Sequence, residues 1–259
     1  MSNEVTQRHG DIVKGIDDLR SYTPARVGLG RAGAAMPTHE RMALLTAHSS
    51  ARDAVHSRVD VAGLKEEISH MSELESQTSD RHEYLRRPDL GRRPGNVDHI
   101  DWLKHVGDVG FVIVDGLSPQ AVNEHAAPLV AALETELAKA LPDKQIAAPV
   151  FAHRGRVALG DHVGERAGWD TTIVIIGERP GLSVPSSLGM YLTWKAKPGT
   201  TDEARNCISN IHPPHGIGYS EAAVGAARLV CAFYERGFSG YQVKAVEGPG
   251  DTAIQSAGS

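Results

Sequence analysis

The chain has 259 residues, of which 41% are hydrophobic and 23% charged, and its formal net charge is −5. Such a composition supplies a sizeable core, and the length allows one large α/β domain or about two smaller ones. The acidic balance argues against a protein that grips a phosphate backbone. No apolar run approaches the roughly 20 residues that cross a bilayer, and the polar Met1–Gly10 start has no signal-peptide core, so a cytoplasmic location is expected.

In chain order, Ile12 to Leu19 has some helical character. Thr38 to Arg58 predicts a helix, capped by Thr38, with Met42, Leu45, Ala51 and Val55 near helical spacing. A shorter helix is expected over Val61 to Met71. Arg81 to Gly95 holds two prolines, two glycines and two Arg-Arg pairs, the composition of a linker. Asp80, Glu83 and Asp89 dilute any nucleic-acid patch there.

Beyond the linker the pattern changes. Val109 to Val114 reads as a buried strand ending at the turn Asp115-Gly116. Ser118 caps a helix with Pro119 at its first position, and the apolar stripe runs Val122, Ala126, Leu129, Leu133, Leu137, Leu141. Ala148 to Ala152, Thr171 to Ile176 and Met190 to Trp194 are further strands, with helices over Leu159 to Ala167 and Ser220 to Glu235. Alternating strands and helices predict a mostly parallel sheet covered on both faces. The expectation is therefore an α/β protein: a helical N-terminal region and linker over 1–95, a Rossmann-like, mostly parallel α/β domain over 96–245, and a disordered Gly/Ala/Ser-rich tail over 246–259.

Gly28, Gly30 and Gly33 spell GxGxxG, with Asp53 about twenty residues beyond, the nominal dinucleotide fingerprint. The segment before it contains Pro24 and Arg26 and makes a poor buried strand, and Pro37 interrupts the helix that should follow. Close backbone packing is the better reading of these glycines. Cys207 and Cys231 lack the spacing of a zinc site, and Cys231, inside the run Leu229 to Ala232, reads as a buried small residue. His153, His162, His212 and His215 do not share a helical face with carboxylates, so no metal site is expected.

In open α/β sheets ligands sit outside the carboxyl ends of the strands. There, Gly177-Glu178-Arg179-Pro180-Gly181 forces a sharp loop bearing a carboxylate and a guanidinium. Gly155 to Asp161 lies at a second strand-to-helix junction, where free backbone N–H groups face an acceptor. Arg205 to Ile211 supplies small polar groups after the last strand. These three segments suit a ligand rich in amides and contain no nucleophile with a sequence-evident base.

At these residues the sequence resembles the small subunit of ethanolamine ammonia-lyase. The resemblance is carried by Thr23 to Gly33, Ala51 to His56, Asp115 to Ser118, Gly155 to Asp161, Ile176 to Leu182 and Arg205 to Ile211. It implies a lyase that converts ethanolamine to acetaldehyde and ammonia by adenosylcobalamin-dependent radical chemistry, with the corrin between this chain and a large (β/α)8-barrel subunit that carries the catalytic residues. An assembly of several large–small pairs is implied, and in some relatives the N-terminal region takes part in targeting to a bacterial microcompartment. The family's cobalamin contacts fall on Val157, Glu178 and Cys207. The motif DxHxxG, which exchanges the lower cobalt ligand for histidine, is incomplete at Asp80-Arg81-His82, where Leu85 replaces glycine, so the cofactor is expected base-on. The competing expectations are an NAD-linked oxidoreductase and a non-catalytic α/β interaction module.

Overall fold

The computed structural model describes residues 18–23 and 25–243. The expected tail over 246–259 and the Met1–Gly10 start lie outside the described residues. A mixed six-stranded sheet in the order β1-β3-β2-β4-β5-β6 forms the centre, from β1 (Ser72–Glu75), β2 (Val109–Val114), β3 (Val150–His153), β4 (Thr171–Gly177), β5 (Leu188–Trp194) and β6 (Arg205–Ile211). The first four strands run parallel, and β5 and β6 extend the sheet in antiparallel fashion. The α/β expectation is borne out.

β2 is apolar on both faces because both faces are covered, as a central parallel strand requires. Phe111 and Ile113 point to a core shared with α5 (Pro119–Ala140) and α7 (Tyr219–Arg236). Val112 and Val114 point to a second, smaller core with Leu159 and Val163 of α6 (Leu159–Ala167). α5 begins as its sequence predicts: Ser118 Oγ accepts from Ala121 N at 3.2 Å, with Pro119 in the first turn. Its stripe from Val122 to Leu137 is buried.

Three expectations about the course of the chain need correction. The N-terminal portion is not purely helical, because β1 enters the sheet beside β3. Its sequence, Ser-Glu-Leu-Glu, buries only Leu74, so an edge strand of this length left no apolar run to read. The segment expected as a linker folds into two short helices, α3 (Arg81–Arg86) and α4 (Pro88–Gly91). Asp80 accepts from Glu83 N at 2.8 Å to cap the first, and Pro88 opens the second. The segment then returns to the sheet, where Gly95 N donates to Glu75 O at 2.7 Å. Third, Arg205 to Ile211 is not a loop but strand β6, polar because it is the outer strand and half its residues face outward.

The helix α1 (Thr38–His56) forms near its expected bounds, and α2 (Val61–Glu67) starts where expected but stops at Glu67, short of the expected end at Met71. Thr38 does not cap α1, since Pro37 occupies that position without a side-chain bond. Of the α1 stripe, Met42 and Leu45 are 57% and 51% exposed, and Ala54 is the buried residue of this helix. Cys231 is half-buried on α7 instead of fully enclosed.

Candidate functional site at the strand ends

Parallel register brings the ends of β2, β3 and β4 together, with Val114 opposite both Ala152 and Ile176. Because β5 runs the other way and β6 turns back to the direction of β4, the start of β5 and the end of β6 reach the same edge, with Gly177 opposite Leu188 and Leu188 opposite Ile211. Glu178 leaves β4 at this junction. A β-carbon on Gly177 would overlap the Ser118 carbonyl, so only glycine lets β4 pass the start of α5.

The Glu178 carboxylate is held from several sides. Oε2 accepts from Ser187 Oγ at 3.0 Å and from Asn210 N at 3.4 Å. A β-carbon at Gly189 would lie 2.7 Å from Oε1, so the glycine in the β5 bulge makes the room that this carboxylate occupies. Asn210 reaches its position with φ of 60°, in the left-handed region asparagine tolerates.

Glu178 opens into a cavity of about 970 Å3 on the α6 face of the sheet. Val157, at the junction leading into α6, lines it as well. Cys207 is exposed on β6 beside its register partner Tyr191, which forms part of the cavity wall. Burial pushes the Tyr191 phenol up to about 12, with Cys207 and Glu178 adding to the rise. Burial raises the Cys207 thiol too, so at neutral pH both are neutral, weakly donating groups. The three expected contact residues thus share one region of the molecule.

The opposite wall comes from α3, α4 and the turn after them: Tyr84, Pro88, Arg92 and Arg93. Tyr84 is fully buried. Its hydroxyl donates to Gly155 O at 3.1 Å, and the guanidiniums of Arg156 and Arg81 lie 4.2 and 4.8 Å from the centre of its ring. Arg81 also donates to Gly116 O at 2.8 Å and lies 3.6 Å from Asp115 Oδ2. Burial pushes the Asp115 carboxyl up while Arg81 pulls it down. Asp115 Oδ1 in turn accepts from Gly155 N at 3.2 Å, which fixes the turn that presents Val157. Sequence reasoning missed this wall, and the signal available was the density of arginine around Tyr84 and Pro88.

Arg205, expected as a rim group, points inward. Its Nη1 and Nη2 donate to Asp161 Oδ1 and Oδ2 at 2.6 and 2.7 Å, and the two side chains are 2% and 1% exposed. Nη2 also donates to Thr200 O at 2.8 Å. The pair ties β6 to the first turn of α6 and closes the floor of the cavity. Burial pushes the Asp161 carboxyl up, against the pull of Arg205.

Among the described residues no group of three or more His, Cys, Asp and Glu side chains could hold a metal ion, and no helix is long and apolar enough to cross a membrane. The GxGxxG glycines follow no strand, and Asp53 lies inside α1, so the fingerprint lacks its strand–turn–helix setting. All three glycines have positive φ and shape a surface segment.

Residues 14–244 match the model of the ethanolamine ammonia-lyase light chain (EutC) family. The chain belongs to this family. It is 46% identical over 235 residues to the ethanolamine ammonia-lyase small subunit of Rhodococcus erythropolis, covering 87% of this chain and 88% of that protein. It is 44% identical over 239 residues to the small subunit of Rhodopseudomonas palustris, covering 90% of each. The Ralstonia nicotianae small subunit is also 44% identical over 239 residues, covering 87% of this chain and 86% of that protein.

Proposed function

We propose that this chain completes the cobalamin site of an ethanolamine ammonia-lyase, at an interface with a large (β/α)8-barrel subunit that holds the catalytic residues. The observation that carries the reading is the convergence of Val157, Glu178 and Tyr191, the register partner of Cys207, on one cavity whose lining offers binding groups and no nucleophile–base pair. A corrinoid presents an apolar ring edged with amide side chains, and the groups here fit that surface. Val157 gives apolar contact. Glu178, fixed by Ser187 and the Asn210 amide, keeps an acceptor for amide or ribose donors. Cys207 and Tyr191 supply neutral packing and weak donors.

When bound, adenosylcobalamin supplies the radical chemistry by which ethanolamine becomes acetaldehyde and ammonia. This chain's residues bind and orient the corrinoid and exclude water from one side of it. His82 is exposed on α3 beside Arg86, at 3.2 Å, and the DxHxxG motif is broken at Leu85, which supports a cofactor that keeps its own benzimidazole on cobalt. The assembly is expected to contain several large–small pairs in the cytoplasm or a microcompartment.

Mixing the purified chain with large subunit, adenosylcobalamin and ethanolamine tests the reading. Acetaldehyde should form only with both chains and the cofactor, and electron paramagnetic resonance of the reduced cobalt state should show benzimidazole nitrogen coupling. Activity of this chain alone, cofactor-independent turnover or tight NAD binding would overturn the assignment, and histidine nitrogen coupling would overturn the base-on state.

A further inference from the structure

We propose that Arg92, Arg93, Arg156 and Arg179 form an anion subsite for a phosphoryl group, occupied in the assembled enzyme by the phosphodiester of the cobalamin nucleotide tail. The choice of occupant rests on the cofactor reading above. All four line the same cavity. Neither of its two acidic lining residues pairs with these arginines: Glu178 Oε2 accepts from Ser187 and the Asn210 amide, and Asp202 lies 3.3 Å from Arg205. Arg205 itself is matched by Asp161.

Arg92, Arg93 and Arg179 make no side-chain hydrogen bond or ion pair among the described residues, whereas their neighbours do. Arg86 meets His82, and Arg87 forms a two-point pair with Asp89. Arg156 donates through Nη2 to Tyr84 O at 3.2 Å and lies on the Tyr84 ring, yet its buried Nε has no partner among the described residues. A buried N–H without an acceptor is costly to leave unmet.

Four guanidiniums around one cavity run against the average of a chain with net charge −5. Like charges gathered at one site repel, and a shared anion removes that cost. The planar fork of arginine matches the oxygens of a phosphoryl group better than it matches an amide. Cobalamin carries one such group, on the tail that links corrin to benzimidazole, while the rest of its surface is apolar or amide and suits Val157 and Glu178. Free inorganic phosphate offers the same oxygens.

The test measures equilibrium binding to the large–small complex of adenosylcobalamin, of adenosylcobinamide (which lacks the nucleotide tail) and of inorganic phosphate. The expected result for Arg92→Gln/Arg93→Gln is a Kd for adenosylcobalamin raised about tenfold or more, with adenosylcobinamide unchanged. Arg86→Gln/Arg87→Gln, outside the cavity, should leave both alone. Equal binding by wild type and variant, or an equal loss for both corrinoids, would overturn the subsite. Arg179→Gln, on a different wall, repeats the measurement should the double variant fail to assemble. If the wild-type complex binds neither corrinoid, the cofactor reading fails on its own. Calorimetry with inorganic phosphate then decides the subsite: binding lost in the double variant supports it, and no binding to wild type sinks it.

Discussion

At the scale of single residues, the site depends on atoms that are absent as much as on those present. Glu178 occupies space left free by Gly189, and β4 passes α5 because Gly177 has no side chain. The Arg205–Asp161 pair is the other fixed point. With both side chains almost fully buried, removing one charge strands the other in a dry environment, which typically costs about 3–5 kcal/mol. Asp161→Asn is therefore expected to lower unfolding stability by about that amount, read from the urea midpoint. A loss below about 1 kcal/mol would mean that solvent reaches Arg205 once the carboxylate is gone. The places of Glu178 and Val157 at strand ends were legible in the sequence, but the partners of Glu178 were not. Ser187 precedes β5 and Asn210 lies near the end of β6, and only the antiparallel pairing of β5 with β4 and β6 brings them close.

At the scale of elements, α5 and α7 pack together on one face of the sheet, and His125 links them through Nδ1 to the Tyr219 hydroxyl at 2.8 Å. Burial holds the His125 imidazole below its ordinary 6.5, with nearby Glu124 acting the other way. The folded state then binds fewer protons than the unfolded state in the window below 6.5, so stability rises with pH there. This contribution is complete above the ordinary value and is lost as the medium acidifies. His212, also held down chiefly by burial, adds in the same direction. Thermal unfolding of His125→Gln across about pH 5 to 7 should show a shallower loss on acidification than wild type, and parallel curves would remove His125 from the account. Most long elements were legible because their periodicity is strong: β2, α5, α6 and α7 form where hydrophobic spacing puts them. Short or polar elements were not. β1 buries one leucine, α3 and α4 are capped by Asp80 and opened by Pro88 inside a stretch dominated by arginine, and β6 carries the polar pattern of an outer strand.

At the scale of the molecule, stability is unevenly distributed. The two cores flank β2 and β4, whereas α1 buries Ala54 and leaves Met42 and Leu45 exposed. Local opening follows buried contact, so in the isolated chain α1 amides should exchange with solvent well before those of β2 and β4. Equal protection across these elements, measured by native-state hydrogen exchange, would contradict this ranking.

The sequence by itself determined the α/β class, the course of the principal strands and helices, and the family, because each is written in local spacing or in an ordered set of short motifs. Tertiary structure decided the rest of the site. The sheet order places residues far apart in the chain at one edge, and α3 and α4 close the cavity with Tyr84 and arginines that composition alone describes as a linker. Arg205 turns inward because Asp161 waits on another element. Charges find their partners across the fold, and spacing along a chain carries no record of that geometry.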